Sequence, residues 1–411
     1  MAKSDIEVAI IGGGAAGVAA GRRLNDAGID CLIVEARSRL GGRAFTETHA
    51  GYPIDLGCGW LHSADQNEWT AIARAQGRQI DETPPPWARS SFGFRRGEQQ
   101  DYREAFAAFE ERVSKVTRAD KDVALSAALE PDGRWNGLIG AVVTFISGDE
   151  ADKVSALDYE NYAHTDTNWR VVEGYGATVA RHGEGVPAAF NCPVTRIDHS
   201  GKRLKIETAQ GTIAADRAIV TLPTTVLADM EQLFSPALPE KIEAARDLPL
   251  GLDDKLFIAL DQPEAFEKDS RLFGHKNQSK TAAYHIRPFG RPMIEGFFGG
   301  ANARELEKAG AGAFFELAVA ELTGILGSDF GKHLKPIAIH HWAADPFARG
   351  AYSYAVPGKV DCRAVLAASV DNRLFFAGEA CSKHDYSTAH GAYRTGIAAA
   401  EQAIAARKAR S

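Results

Sequence analysis

Six residues near the start, Gly12-Gly13-Gly14-Ala15-Ala16-Gly17, constrain this chain more than any others. They follow Asp5 to Ile11, an apolar, β-branched run of strand length, and lead into alanine-rich helical sequence from Val18 to Ala27. Gly12, Gly14 and Gly17 fill the G-x-G-x-x-G pattern of a dinucleotide site, and Ala16 belongs to the same cradle. The first glycine permits the tight turn, the second lets the backbone approach a pyrophosphate, and the third lets the helix sit close to the strand. The pyrophosphate then lies at a helix N-terminus, where free N–H groups and the dipole favour an anion. A second strand, Asp30 to Val34, ends at Glu35, about 20 residues past the glycines, where an acid can bind ribose hydroxyls.

The next stretch, Glu35-Ala36-Arg37-Ser38-Arg39-Leu40-Gly41-Gly42-Arg43, resembles the E-A-x-x-x-x-G-G-R extension of FAD-binding oxidoreductases of the amine oxidase and desaturase superfamily. Gly41 and Gly42 allow a second close backbone approach, and Arg43 offers a planar fork for phosphate oxygens. The resemblance implies FAD, with Arg37, Gly42 and Arg43 among the residues that hold it.

At 411 residues the chain suits two domains, with room for one to be interleaved in the other, and its 45% hydrophobic and 25% charged residues are ordinary for a globular protein. A net charge of −7 argues against nucleic acid as a main partner. Five cysteines, Cys31, Cys58, Cys192, Cys362 and Cys381, are scattered without C-x-x-C spacing. They read as reduced thiols of a cytoplasmic protein, with neither a metal site nor a disulfide framework. The first strand begins within a few residues of Met1, which leaves no room for a signal peptide. No apolar run approaches the ~18 to 20 residues that span a bilayer, and Arg407 to Ser411 form a short basic tail.

Further along, Gly51 to His62 reads as a short strand passing into a glycine-rich turn against which a flat ring can lie. Its D-x-G-x-x-W-x-H pattern is similar to the segment beside the flavin in polyamine oxidases. Gly57, Gly59 and Trp60 are therefore cofactor candidates, and His62 is a substrate-side candidate or a hydrogen-bonded structural histidine. Thr83 to Arg96 is a proline- and arginine-rich crossing loop, followed by helical spacing from Tyr102 to Leu129 and a buried helix from Trp135 to Ile146. Strands are expected at 189–198, 202–209, 211–222, 256–260, 291–298 and 373–377, with helices at 312–326 and 391–406. In related flavoenzymes the position matching Val194 lies beside the adenine through its backbone.

The second anchor is Leu374-Phe375-Phe376-Ala377-Gly378-Glu379-Ala380 with Tyr386-Ser387-Thr388-Ala389-His390-Gly391-Ala392. It resembles the A-G-E…T-x-H-G-A end of flavin-containing amine oxidases, most closely their polyamine oxidase branch. The resemblance implies that Gly378, Glu379, Thr388 and Ala389 bind the same FAD as the N-terminal glycines. It also implies an α/β fold: a discontinuous Rossmann-type FAD-binding domain (1–85, 187–245, 360–411) and an inserted α+β substrate domain with a mixed sheet (86–186, 246–359). Lys255 sits where the family has a lysine holding a water near flavin N5, Trp342 matches a tryptophan beside the isoalloxazine, and Tyr352 matches one wall of an aromatic cage. Ala351 replaces the cysteine that links to FAD in mitochondrial monoamine oxidases, so the FAD is expected to be non-covalent. Thr388, with Ala389, stands at the second cage tyrosine and leaves the cage incomplete.

The chemistry implied by the resemblance is hydride transfer from the α-carbon of a neutral primary or secondary amine to flavin N5, giving an imine, with oxygen returning the flavin and releasing hydrogen peroxide. Lys255, Trp342, Tyr352, Thr388 and His62 are the catalytic-side candidates. The cofactor carries the hard chemistry and the protein orients and excludes water. Two rivals share these motifs: a desaturase or dehydrogenase passing electrons elsewhere, and a flavin-bound interaction module with little turnover. Trp87, Phe92, Trp135, Tyr159, Tyr162, Trp169 and Phe297 are the aromatics from which a specificity cavity could be built.

Overall fold

The first strand, Asp5–Ile11, lies at the centre of an eight-stranded sheet. The computed structural model describes residues 5–119, 122–310 and 312–408; Ala409, Arg410 and Ser411 of the basic tail lie outside the described residues. Alternation along the first strand places Val8 and Ile10 against helices on one face, and Ala9 and Ile11 against a second core on the other. Cys31–Val34 and Ala188–Ala189 extend the sheet in parallel on one side, and Gly211–Val220 pairs in parallel on the other.

The ten-residue strand Gly211–Val220 has a divided outer edge. Its first half pairs antiparallel with Leu204–Thr208, and its last three residues pair parallel with Leu374–Phe376. The meander Val194–Asp198, Leu204–Thr208 and Gly211–Val220 thus rejoins the nucleotide-side sheet, as the alternating sequence predicts. Helix Ala15–Asp26 packs on the last helix, Ala389–Lys408, so closely that a Cβ at Gly396 would lie 2.2 Å from the Ala16 carbonyl oxygen. The expected ends differ by a few residues, because both helices begin in small residues whose periodicity carries little signal.

A second sheet of five antiparallel strands runs in the order Ser270–Phe273, Ala283–Ile286, Met293–Gly299, Asp253–Leu260, Leu334–Ile339. One face, with Leu256, Ile258, Tyr284, Ile294 and Phe298, packs on Ala303, Phe314, Ala318 and Leu322 of two helices. Strict alternation puts Asp253, Lys255, Phe257, His285, Glu295 and Phe297 on the opposite face. Beside this sheet lie helices Glu98–Arg118, Asn136–Ser147 and Ala156–Asn161, around Phe109, Val113, Trp135, Leu138 and Val143. The stretch expected as helical from Tyr102 to Leu129 ends at Arg118, with a short 3-10 turn at Leu125–Ala128.

Helix Tyr175–His182 corrects the expected boundary at residue 186. Tyr175 and Val179 share a buried cluster with Val18, Ala44, Leu61 and Trp69, on the side of the nucleotide unit. Its apolar stripe is complementary to the first helix, and a crossing loop does not reveal that choice in sequence.

Candidate active site

The glycine loop divides into crowded and open positions. Gly12 has φ of +103°, which favours glycine, and a Cβ at Gly17 would fall 1.9 Å from the Gly12 carbonyl oxygen. A Cβ at Gly14 would meet nothing closer than 3.9 Å, so this backbone borders open space. No side chain caps the helix that starts at Ala15, which leaves the first-turn N–H groups, Ala16 and Gly17 included, to an anion. Glu35 is buried and accepts from Gly13 N at 2.6 Å and Arg37 N at 2.7 Å, which fixes the loop to the end of the second strand.

The Gly41-Gly42-Arg43 turn closes onto the same loop. Gly41 N donates to Gly13 O at 2.8 Å, and a Cβ at Gly42 would sit 3.0 Å from Gly14 Cα. Arg43 Nη1 donates to Glu379 Oε1 at 2.9 Å and to Ala351 O at 2.7 Å, which leaves the rest of its fork to other acceptors. Glu379 also accepts from Ser353 Oγ at 2.6 Å and Ser387 N at 2.9 Å. Burial opposes its ionisation, but Arg43, Ser353 and Arg363 outweigh it and hold the carboxyl below its ordinary value. At Gly378, φ is +145° and a Cβ would meet nothing within 4 Å. Arg43, Thr221, Leu222, Gly378 and Glu379 line one cleft at the C-terminal ends of the strands, where α/β sheets bind ligands.

Two expected cofactor residues have other partners. Arg37 forms a bidentate pair with Asp345, at 2.8 and 2.7 Å. Thr388 Oγ1 donates to Asp385 O at 2.6 Å and accepts from Gly391 N at 2.9 Å. Its hydroxyl therefore braces the start of the last helix, where a threonine satisfies an orphan N–H, and does not extend a substrate cage. Ala389 follows it and accepts from Trp69 Nε1 through its carbonyl. Val194 opens its strand at a register shift, just after Asn191 and Cys192 donate their N–H groups to Arg37 O and Glu35 O.

Gly57 packs against Trp342: a Cβ there would meet the indole at 3.1 Å and Arg43 O at 1.8 Å. The indole Nε1 of Trp342 donates to Leu56 O at 3.0 Å, which fixes the ring beside the Gly57-Cys58-Gly59 turn. Across that turn, Lys255 is 6% exposed, and its Nζ is 3.3 Å from the position of a Gly59 Cβ. Tyr352 donates its hydroxyl to Phe145 O at 2.6 Å and also faces Asp253. The buried Asp253 carboxyl lies well above its ordinary value, because desolvation and Glu295 outweigh Lys255 and Tyr352.

His62 pairs through Nδ1 with Asn168 Oδ1 at 2.6 Å, and burial pushes it down to about 4, so it is neutral at pH 7. Trp60 stands edge-on to Trp87 at 4.6 Å and stacks on His285 at 6.2 Å, on the substrate-side sheet face rather than in the nucleotide cleft. Phe297 lies 5.9 Å from Lys255 Nζ. Trp135 and Tyr159 belong to the helical core, Tyr162 packs on Tyr386, Trp169 faces Arg74, and Phe92 is exposed beside Phe266.

Sequence reasoning missed Asp253, Glu295 and His285, which share the face that carries Lys255. The signal was a single ionisable residue in each of two apolar strands, Ala-Tyr-His-Ile and Met-Ile-Glu-Gly-Phe-Phe. Among the described residues, no group of three or more His, Cys, Asp or Glu is placed to hold a metal, and no helix is long and apolar enough to cross a membrane.

Open backbone at Gly14 and Gly378, uncapped N–H groups at Ala15 to Gly17, and a flat glycine turn beside Trp342 fit an extended dinucleotide with a planar ring. The fold and site define a dinucleotide-dependent oxidoreductase built on a Rossmann-type sheet. Residues 150–404 match the family described as flavin containing amine oxidoreductase, and residues 10–75 match an NAD(P)-binding Rossmann-like domain. The chain belongs to the flavin-containing amine oxidoreductases, and FAD is its cofactor. It is 29% identical to polyamine oxidase 4 of Oryza sativa subsp. japonica, across 96% of this chain and 88% of that one. It is 28% identical to a rice lysine-specific histone demethylase 1 homolog 2, across 98% of this chain and 57% of that one. A wild-type putrescine oxidase structure bound to putrescine shares the fold, with a TM-score of 0.77 at 18% identity, over 98% of this chain and 99% of that one.

Proposed function

We propose that this amine oxidoreductase oxidises a primary or secondary amine with oxygen as the electron acceptor. The observation that carries the reading is the placing of a buried lysine, Lys255, beside Gly59 on a face shared with Phe297 and Asp253, with Tyr352 next to Asp253. The Gly12–Gly17 loop with Glu35, the Gly42–Arg43 turn, Gly57 and Gly59, Val194 and the Gly378–Glu379 turn would hold FAD. Ala351, beside Tyr352, makes that binding non-covalent. Bound there, FAD would supply the two-electron chemistry: oxidation of the amine's C–N bond to an imine, with the electrons passed on to oxygen as hydrogen peroxide.

The protein's part is orientation and desolvation. Tyr352 and Phe297 present aromatic faces to a cationic or neutral amine. Trp342 is anchored by its indole bond to Leu56 and walls the other side of the glycine turn. His62, neutral and tied to Asn168, offers no charge to compete with the amine. The five-stranded sheet buries Lys255 to 6% exposure on the face that would meet the amine, where the low dielectric strengthens its electrostatic contacts. We further propose that residues 246–359 form the body of the substrate side, with 86–165 as its cover.

The test is anaerobic addition of monoamines, diamines, polyamines, amino acids and cyclic amines to the yellow protein, followed by air. Bleaching by one class, with rapid recovery and one hydrogen peroxide per cycle, is expected. Bleaching with slow recovery in air would move the assignment to a dehydrogenase. Flavin that no amine bleaches would overturn the amine reading.

A further inference from the structure

Lys255 is held by a chain of buried and largely buried charges that runs away from the glycine turn. Its ammonium donates to Glu295 Oε1 at 3.1 Å, the one carboxylate in ion-pair contact with it among the described residues. Glu295 stands directly across the strands from His285, and its Oε2 lies 3.6 Å from His285 Nδ1. That Nδ1 has no hydrogen-bond partner, although His285 is only 3% exposed. The other ring nitrogen, Nε2, is 3.0 Å from Asp269 Oδ1, and Asp269 in turn accepts from Arg170 Nη2 at 2.9 Å.

Stability does not account for this arrangement. A buried ion pair offers little net stability over apolar side chains of similar size, and Lys255 Nζ already lies 5.7 and 5.9 Å from the rings of Phe257 and Phe297. A lysine has a long flexible stem and a compact charge, so only a fixed counter-charge gives its nitrogen a defined position. Glu295 can supply one, because its own second oxygen faces a histidine braced by Asp269.

We propose that Glu295 is a positioning residue: it fixes the Lys255 ammonium beside Gly59, and His285, braced by Asp269, fixes Glu295. Its action on amine oxidation runs through Lys255 and not through contact with the substrate. The part concerning turnover rests on the amine oxidase reading; the electrostatic part does not.

A double-mutant cycle separates the two. Holoenzymes of wild type, K255M, E295Q and K255M/E295Q are compared in the flavin's reduction potential, measured by dye equilibration without amine, and in the anaerobic rate of flavin reduction by amine. E295Q is expected to slow the limiting reduction rate at least tenfold while changing the apparent amine Kd less than threefold. In the K255M background the same substitution is expected to change neither the rate by more than twofold nor the potential. E295D should recover part of the rate, and it replaces E295Q in the cycle if the glutamine variant does not hold flavin. Additive potentials, or equal rate losses in both backgrounds, would overturn the proposal. If no amine bleaches any of the four proteins, the amine oxidase reading fails, and the potentials alone still decide the role of Glu295.

Discussion

Arg43 and Glu379 lie 336 positions apart and meet in a 2.9 Å ion pair at the cleft where the two cofactor motifs converge. Because Arg43 also holds Ala351 O, one guanidinium ties the first glycine unit, the last glycine turn and the Tyr352 segment together. E379A removes the acceptor of a partly buried charge-assisted bond and should cost about 1.5–3 kcal/mol. The check is chemical denaturation together with flavin content, and both should fall. Since the folded carboxyl is held below its ordinary value, its stabilising effect is full above about pH 4.3 and is lost as pH falls through the lowered value. The acid limb of wild-type stability should therefore be steeper than that of E379Q.

The two kinds of glycine give different variants. G17A forces a Cβ to 1.9 Å from Gly12 O and should prevent the loop from forming. G14A meets nothing closer than 3.9 Å, so it should fold with nearly unchanged thermal stability while its Cβ occupies the space before the helix. A flavin affinity at least tenfold weaker, read by fluorescence of released flavin, is the expected result for G14A.

Asp254 points to the opposite face from Lys255. It is fully buried, accepts from Trp342 N at 3.2 Å, and keeps Oδ2 without a hydrogen bond partner. Burial and the neighbouring Glu307 raise its carboxyl well above the ordinary range. A raised carboxyl contributes stability that is complete below about pH 3.9 and is lost as pH rises through the folded value. D254N keeps the acceptor for Trp342 and carries no charge. It should match wild type near pH 4 and exceed it in melting temperature at pH 8, with the gap widening as pH rises.

Tyr352 offers a cleaner separation of ring from hydroxyl. Y352F removes the bond to Phe145 O and should cost about 0.5–1.5 kcal/mol in stability with little change in amine affinity. Y352A removes the aromatic face as well, and a KM at least tenfold higher should follow if the ring positions the amine. Steady-state kinetics beside thermal melts distinguish the two.

Asp158 and Arg363 form a fully buried bidentate pair, both bonds at 2.7 Å, with the guanidinium 3.9 Å over the Tyr386 ring. D158A should cost about 3–5 kcal/mol by stranding that cation. Denaturant titration of the purified variant measures it.

The nucleotide half was legible because its chemistry is written locally. Glycines, a β-branched run and an acid about 20 residues on state a turn, a strand and a ligand end in consecutive positions. Strands at 211–220 and 374–376 were legible for the same reason, as short apolar runs bounded by glycine or charge. The strands Ser270–Phe273, Ala283–Ile286 and Leu334–Ile339 were not expected, since a polar, proline-bearing or histidine-bearing strand shows its period only once its neighbour is known. The partners of Arg37 and Thr388, Asp345 and the Asp385 carbonyl, were not legible, because a motif identifies a position but not which partner its side chain takes. Glu295 and His285 were invisible because their meaning depends on register: a shift of one residue would have turned both into the helix-packed core.

The divided edge of Gly211–Val220 also sets an order on the making of the protein. Its first half finds a partner a few residues upstream, while its last residues wait for Leu374–Phe376, more than 150 positions later. A ribosome must therefore release the whole antiparallel sheet and its helices before the seam beside Val220 can close. Gly378 and Glu379 arrive with that closing strand, so the cleft beside Arg43 gains its second wall only when almost the whole chain has been made.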